Sequence, residues 1–344
     1  MQVGEIEASS GEHIFGYLKV AKSRSGLSPD IPVHLFVGAE PGPTFLVQAA
    51  IHGDEIVGTL GVLNFAKRLD PKRIRGCVIV VPVVNRIGFE LSERLSRVDG
   101  KDISRLFPGN PNGTLSEQIA FVYMEKVIKR ANVMLDIHSG GRTGYERYVM
   151  FTGPKDRQNL TEKERNVRKL AVAFGLDSAA YFAPGAFGGG RRAHDAIEEA
   201  GVVEFGVEMG GGTGWLKNGE ANLRDLERGI LNTMKSMHMT EGDFEVDGPL
   251  CTIYNASIIL WKPAVDGLFV RKKDFYEKIQ AGEIFGTVVD PYTGKNLEHV
   301  KSGADAIVLP GGQQWPTLAG TSVVELGVID EVVDRRKVNL HVSF

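Results

Sequence analysis

Apolar runs and helix-period stretches alternate through the first two thirds of the chain, and each change of period marks an element. Phe45 to Ile51 is a largely apolar run that predicts a buried strand. It stops at His52-Gly53-Asp54-Glu55. Ile56, Leu60, Leu63 and Phe65 then recur near a 3.6-residue period and predict a helix that Asp70-Pro71 ends. Strands are also predicted at 15–22 (FGYLKVAK) and 31–37 (IPVHLFV), before this unit. After it, Gly76 to Val84 (GCVIVVPVV) is apolar on both faces, as strands covered by helices on each side are.

The alternation continues. Thr114-x-x-Glu117 is a capping-box pattern opening a helix to about Ala131, with Ile119, Tyr123 and Val127 on one face. The next strand, Val133 to Ile137, ends in His138-Ser139-Gly140-Gly141. Thr161-x-x-Glu164 caps a helix that stops near Gly175, AAYFA (179–183) predicts a short strand, and the glycine-rich GAFGGGRR follows. VVEFGVEMGGG is a further strand, and Asn222 opens a helix carrying Leu223, Leu226, Ile230, Met234 and Met237 on one face. Beyond about residue 245 the helical period disappears, and short strand-like pieces separated by Gly, Pro and Asp predict a small barrel or sandwich. The expected architecture is α/β: residues 1–244 form a mixed central sheet with helices on both faces, and residues 245–344 form a small all-β domain. One segment, 85–113 (NRIGFELSERLSRVDGKDISRLFPGNPNG), is polar and arginine-rich, a length of loop that compact domains usually keep for function.

Composition narrows the partners. With 40 Lys+Arg against 43 Asp+Glu, the net charge is -3, so no global field attracts nucleic acid or an acidic membrane. A small-molecule partner is expected. Cys77 and Cys251 are the two cysteines, and the apolar setting of Cys77 predicts a reduced thiol. MQVGEIEASSGEH has neither the basic nor the apolar region of a secretory leader, and no run approaches about 18 apolar residues. The expectation is a cytoplasmic protein, free or as a homo-oligomer.

Two histidines, His52 and His138, each end an apolar strand and precede a glycine or a Ser-Gly-Gly. Glu55 follows His52 by three residues at a strand-to-helix turn, so both side chains can face one point. Two histidines and a carboxylate are the ligand set of open catalytic zinc sites, which leave a fourth position for water. His-x-x-Glu alone is a weak motif, and Ile56 in place of a histidine excludes the inverted zincin pattern. A hydrolytic site of this kind needs a base, and Glu208, at a strand end before Met209-Gly210-Gly211-Gly212, is the candidate. Glu204 shares its strand face but lies deeper, which suits a structural ion pair. Asp136 points the same way as His138 by strand parity, either to orient that imidazole or to cap the strand end. The long loop supplies Arg86, Arg94, Arg97 and Arg105, any of which could grip a carboxylate or stabilise an oxyanion. The GGGRR run (188–192) lacks the lysine of a phosphate loop and is expected to be surface loop.

HGDE, DGKDISRLFPG, LDIHSGG and VEMGGG, in that order, resemble the succinylglutamate desuccinylase/aspartoacylase family of the zinc carboxypeptidase superfamily. The resemblance runs from about residue 44 to 330, with the β-rich tail similar to lipoyl-like barrels of one branch, the deacylases of ectoine breakdown. It implies a zinc carboxypeptidase-like fold, one Zn2+ held by His52, Glu55 and His138, and Glu208 as general base and acid. It further implies that Arg105 binds a substrate carboxylate and that an upstream arginine polarises the scissile carbonyl. Arg94 fits the spacing of the closer branch and is preferred; Arg97 fits that of the aspartoacylases. Where the family has an asparagine before the carboxylate-binding arginine, this chain has Ser104, a shorter group.

The expected activity is therefore zinc-dependent hydrolysis of the amide bond of an N-acyl amino acid or similar small carboxylate. A metallocarboxypeptidase acting on short peptides is the alternative with the same site, and a non-catalytic small-molecule binding protein is the alternative from another class.

Overall fold

The computed structural model describes all residues except 21–25, 27–28, 142–143, 154–158, 184–192, 212–213, 311–315, 322–323 and 344, so the GAFGGGRR segment lies outside the described residues. In chain order the strands of the first part are β1 (Gln2–Val3), β2 (Ile6–Glu7), β3 (His13–Leu18), β4 (Ile31–Val37), β5 (Glu40–Ala49), β6 (Arg75–Val81), β7 (Val133–His138), β8 (Glu146–Thr152), β9 (Ser178–Phe182) and β10 (Val203–Gly210). The helices are α1 (Ile56–Arg68), α2 (Arg86–Leu91), α3 (Leu115–Lys126), α4 (Glu162–Ala173), α5 (Ala193–Glu199) and α6 (Gly214–Ser236). The chain closes with β11 (Leu250–Trp261), β12 (Leu268–Arg271), β13 (Lys278–Ile279), β14 (Ile284–Val289), β15 (Asn296–Lys301), β16 (Ala306–Leu309) and β17 (Val324–Asp334).

One 12-stranded sheet runs in the order β13-β16-β17-β11-β9-β8-β10-β7-β5-β6-β4-β3. It is mixed: β6, β5, β7 and β10 are parallel to one another, while β8 lies antiparallel to β10. Alternation along the strands explains how both faces are covered. Phe45, Val47 and Ala49 of β5 pack into a core with Phe65 of α1, Leu170 of α4 and Ile230 of α6. Leu46 of β5 and Met134 of β7 point the other way, into a second core with Ile119 and Tyr123 of α3 and Ile197 of α5. Burial on both sides is why these strands read as unbroken apolar runs.

That second face is not covered evenly. Towards β13 a smaller cluster joins Ala180, Tyr254, Ile307 and Leu309, with Tyr148 and Tyr276 against it. Between this cluster and the α3 core, β7, β10 and β8 turn polar side chains outward from the sheet. A cavity of about 580 Å³ occupies the gap.

Several elements differ from expectation, each for a local reason. Within 85–113, Asn85 caps α2 by accepting from the Gly88 N–H at 3.0 Å, and Asp102 caps a short 3-10 turn, Ile103–Arg105. The helix opened at Thr114 has the expected capping box and ends at Lys126, followed by a 3-10 turn at Ile128–Arg130. Helix α6 begins at Gly214, ahead of Asn222. Strand β8 and helix α5 are additional elements.

The C-terminal strands do not stand apart from the sheet. β11 pairs in parallel with β9 and antiparallel with β17, so the hydrogen-bonded sheet crosses the boundary expected at residue 245. A separate three-stranded sheet, β12-β14-β15, packs Phe269, Phe285 and Val288 against Val308 and Leu326. The chain end returns to the α/β core: Leu340 and Val342 are buried in it, and the Arg335 guanidinium donates to the carbonyls of Val172, Leu176, Gly248 and Leu250. Cys77 and Cys251 are free thiols. No helix among the described residues is long and apolar enough to cross a membrane.

Candidate metal centre and active site

Four neighbouring strands deliver the site. At the end of β5 the chain turns out through Ala50, held in the left-handed region at φ 49°, which costs a residue with a side chain roughly 1–2 kcal/mol. The amides of Val84 and Asn85 donate to the carbonyls of Ala49 and Ala50 and fix the turn. Gly53 lies against α2 so closely that a Cβ would sit 2.0 Å from the Gly88 carbonyl carbon. This packing directs His52 and Glu55 inward, to 4% and 3% exposure, just before α1.

His52 Nδ1 lies 2.7 Å from Glu55 Oε1, and His138 Nδ1, from the end of β7, lies 2.9 Å from Glu55 Oε2. The imidazole nitrogens and the carboxylate oxygen are all within 4.8 Å of one another, a group that could hold a metal ion. Each imidazole is backed by a second carboxylate. His138 Nε2 is 3.0 Å from Asp136 Oδ2, whose other oxygen accepts from Gln48 Nε2 at 2.8 Å. His52 Nε2 is 3.3 Å from Asp102 Oδ1, and Asp102 accepts in turn from the Ser104 hydroxyl at 2.7 Å and the Ser104 amide at 3.0 Å. A carboxylate on Nε2 keeps its proton there and leaves the Nδ1 lone pair for a cation, the usual support of metal-binding histidines.

The electrostatics follow from these contacts. Burial opposes charge on Glu55, but the two imidazoles outweigh it and hold the carboxyl well below its usual range. Burial likewise opposes charge on His52 and His138, yet Asp102 for the first and Asp136 for the second, together with Glu55, raise both above an ordinary histidine. Asp102 is kept ionised against its own burial by His52 and Ser104.

Glu208 of β10 sits beside His138 in the parallel register and opens into the same cavity. Its circumstances are the reverse of those of Glu55. Burial pushes its carboxyl up to about 8; the charge on His138 opposes the shift, and Glu55 and Glu146 add to it. A group poised there can accept a proton when a cation arrives and return it later. Glu204, two strand positions deeper on the same face, pairs with His194 of α5, the structural partnership its depth suggested.

The arginines separate into two kinds. Arg94 Nη1 donates to Glu55 Oε1 at 2.9 Å, Nη2 lies 3.9 Å from Asp102, and half of the side chain remains exposed at the cavity edge. Arg105 lines the cavity with an exposed side chain, alongside Ser104. Arg97 does not reach it: its guanidinium pairs with Glu93 on the outer side of the loop. Arg86 pairs with Glu90 along α2. Two functional candidates were not singled out by sequence reasoning. Asp102 carried a signal, the second aspartate of DGKD ahead of Ser104, whereas Glu146 opens a strand that was not predicted.

A mixed α/β sheet whose strand ends bring a His-Glu-His cluster, an enclosed glutamate and arginines to one cavity defines a hydrolytic enzyme. Comparison with known proteins agrees. Residues 41–237 match the family described as succinylglutamate desuccinylase/aspartoacylase catalytic domain. The chain is 30% identical over 252 residues to the N-alpha-acetyl-L-2,4-diaminobutyric acid deacetylase of Halomonas elongata, covering 70% of this chain and 68% of that protein. Among solved structures, the succinylglutamate desuccinylase/aspartoacylase of Rhodobacter sphaeroides superposes with a TM-score of 0.74 at 27% identity, covering 93% of this chain and 96% of the other. The product-bound ectoine utilization protein EutE (DoeB) of Ruegeria pomeroyi shares the fold, with a TM-score of 0.74 at 22% identity over 94% of this chain and 98% of its own. The chain belongs to the succinylglutamate desuccinylase/aspartoacylase family and is an amide-hydrolysing enzyme of the deacylase kind.

Proposed function

We propose that this enzyme is a zinc-dependent deacylase that releases the acyl group from a small N-acyl amino acid. The observation that carries the reading is the convergence of His52 Nδ1 and His138 Nδ1 on Glu55, each imidazole backed by its own aspartate, with Glu208 opening into the same cavity. His52, Glu55 and His138 would hold the ion; two imidazole nitrogens and a carboxylate suit zinc and leave room for water and substrate. Zinc, when bound, supplies Lewis acidity toward the amide carbonyl and acidifies a water molecule.

The chain's own residues account for the remaining requirements. The Glu208 carboxylate takes a proton from the attacking water and later gives it to the amine nitrogen as the C–N bond breaks. Arg94, at the cavity edge beside Glu55, offers a guanidinium to the charge that develops on the carbonyl oxygen. Arg105 holds the substrate carboxylate by parallel hydrogen bonds. Ser104 serves the site from behind, by fixing Asp102 against His52.

A panel of N-acetyl, N-succinyl and N-formyl amino acids, offered to the zinc-loaded enzyme beside short unmodified peptides, tests the reading. Hydrolysis of one or more N-acyl amino acids is the expected result. Cleavage of peptides alone would replace this reading with that of a carboxypeptidase.

A further inference from the structure

The large sheet ends differently at its two edges. One end is β13, two residues long with the exposed Lys278, and short strands and lysines are how proteins keep a sheet edge from pairing further. The other end is β3, six residues (HIFGYL) with no lysine, no proline and no shift in its register with β4. Strands β1 to β4 precede residues 41–237, so the family match assigns nothing to this edge.

Which backbone groups β3 turns outward follows from its register. Val37 donates its amide to the Glu12 carbonyl at 2.9 Å, so these two residues are a hydrogen-bonded pair at the start of the antiparallel ladder. Such pairs alternate with non-bonded ones. Ile14, Gly16 and Leu18 therefore spend their backbone groups on β4, while His13, Phe15 and Tyr17 direct theirs away from the sheet. Pro32, which has no N–H to give, stands opposite Tyr17, where the ladder requires none. Among the described residues no strand pairs with that outer edge.

The side chains there are apolar, exposed and packed against one another. Ile14, Phe15 and Tyr17 are 37%, 48% and 46% exposed. Phe15 meets Tyr17 edge-on at 5.3 Å and tilts against His34 at 4.7 Å, and His13 lies flat on Phe36 at 4.0 Å. Rings already held in place lose little freedom on being covered. The Arg86 guanidinium stands over Tyr17 at 5.7 Å, and Arg86 opens α2, so this edge adjoins the segment that carries Arg94 and Arg105 to the cavity.

We propose that β3 is a dimer interface: two copies of the chain pair their β3 strands antiparallel about a two-fold axis at Phe15 and join two 12-stranded sheets into one. Self-complementarity identifies the occupant as a second copy. An axis at Phe15 sets residues 13, 15 and 17 of one copy against 17, 15 and 13 of the other, so the outward backbone groups of each meet those of the other. On one face His13 lies across from Tyr17 and Phe15 across from its own counterpart. On the other face the branched Ile14 lies across from Gly16, beside Ile6, which fills the space above that glycine. A strand pair of this length is at the small end of specific interfaces, so a dissociation constant of roughly 1–100 µM is expected. The proposal is independent of the reading of the active site.

Sedimentation equilibrium of the full chain, from about tenfold below to about tenfold above that constant, and residue-resolved hydrogen exchange supply the test. A reversible equilibrium between monomer and dimer is expected. Exchange of the His13, Phe15 and Tyr17 amides should slow as dimer forms, while that of Ile14 and Gly16, already bonded to β4, should change little. Phe15→Lys, which sets two like charges face to face on the axis, is expected to weaken association by about tenfold or more. Phe15→Pro, which removes an outward N–H without breaking a bond to β4, is expected to weaken it as well. Tyr292→Lys, at an exposed aromatic on the turn between β14 and β15, should leave association unchanged. Should the Phe15 variants fold poorly, the exchange pattern of the wild-type chain decides without any substitution. A chain that stays monomeric at the highest concentration, a dimer whose exchange protection lies outside β3, or association that Phe15→Lys leaves unaffected would overturn the proposal. A monomer that instead takes an extended peptide of another protein along β3 would give the edge a different occupant and overturn it equally.

Discussion

Two corners of one cavity hold enclosed carboxylates in opposite circumstances. At the β5–β7 corner, Glu55 meets two imidazoles and a guanidinium, and its charge is secured before any ligand arrives. At the β10–β8 corner, Glu208 and Glu146 face the cavity with no hydrogen-bonded cation among the described residues, and burial raises both carboxyls above their ordinary range. The first corner is a preassembled clamp. The second is unfinished in the electrostatic sense, and its groups change state when a cation or a proton is supplied. A proton acceptor needs that readiness, whereas a metal ligand needs the opposite.

The largest expected effect comes from removing the readiness of the second corner. Glu208→Gln keeps the shape but cannot accept a proton; turnover should fall by about a hundredfold or more while metal content stays that of the wild type. Loss of metal in this variant would assign Glu208 to the clamp and merge the two corners. Weakening the clamp from behind is the next test. Asp136→Asn and Asp102→Asn should each lower metal affinity by about 10-fold to 100-fold, read by competition with a chelator, because the imidazole loses its orienting acceptor. Unchanged affinity would mean that packing alone orients His138 and His52.

The corners also respond to pH with opposite sign. The Glu208 carboxyl, at about 8 in the folded protein against an ordinary 4.5, binds its proton more tightly folded than unfolded. Its contribution to stability is therefore complete below about pH 4.5 and is lost as pH rises through about 8. Glu55 and Asp102, held below their ordinary values, contribute above the carboxylate range and lose that contribution in acid. In chelator-stripped protein, the melting temperature of Glu208→Gln should gain on that of the wild type as pH is raised from about 5 to about 8.5. A difference that does not move with pH would remove the buried charge from the account. The smallest effect is assigned to Arg97: paired with Glu93 outside the cavity, it should change kcat/KM by less than about twofold when replaced by alanine, as exposed ion pairs usually do.

What could be read from the chain follows the same division. His52 and His138 end strands that are apolar on both faces, so strand ends and ligands announced each other, and α1 with its aspartate-proline stop was equally plain. Strand β8 was not. On its cavity side Glu146, Met150 and Thr152 line the pocket while Tyr148 packs against the small apolar cluster, so polar and apolar groups share one face and the run ERYVMFT shows neither a continuous apolar stretch nor a clean alternation. With the strand hidden, Glu146 was hidden too. Asp102 needed the loop folded back on His52 through Ser104, a contact between residues fifty positions apart. The change of period at residue 245 was visible, but the sheet runs through it because β11 finds its partner in β9, a pairing that local pattern does not encode. Ser104, which breaks the pattern of the family it resembles, acquires a reason in the structure: its hydroxyl and amide both hold Asp102.

The central claim is that the His52-Glu55-His138 cluster holds the ion on which hydrolysis depends. Titrating zinc into chelator-stripped enzyme while following N-acyl amino acid hydrolysis tests it most directly. Activity should return in proportion to bound zinc and saturate at one ion per chain, and His138→Ala should neither bind the ion at that affinity nor recover. Full activity in the stripped protein, or undiminished zinc binding by His138→Ala, would contradict the account.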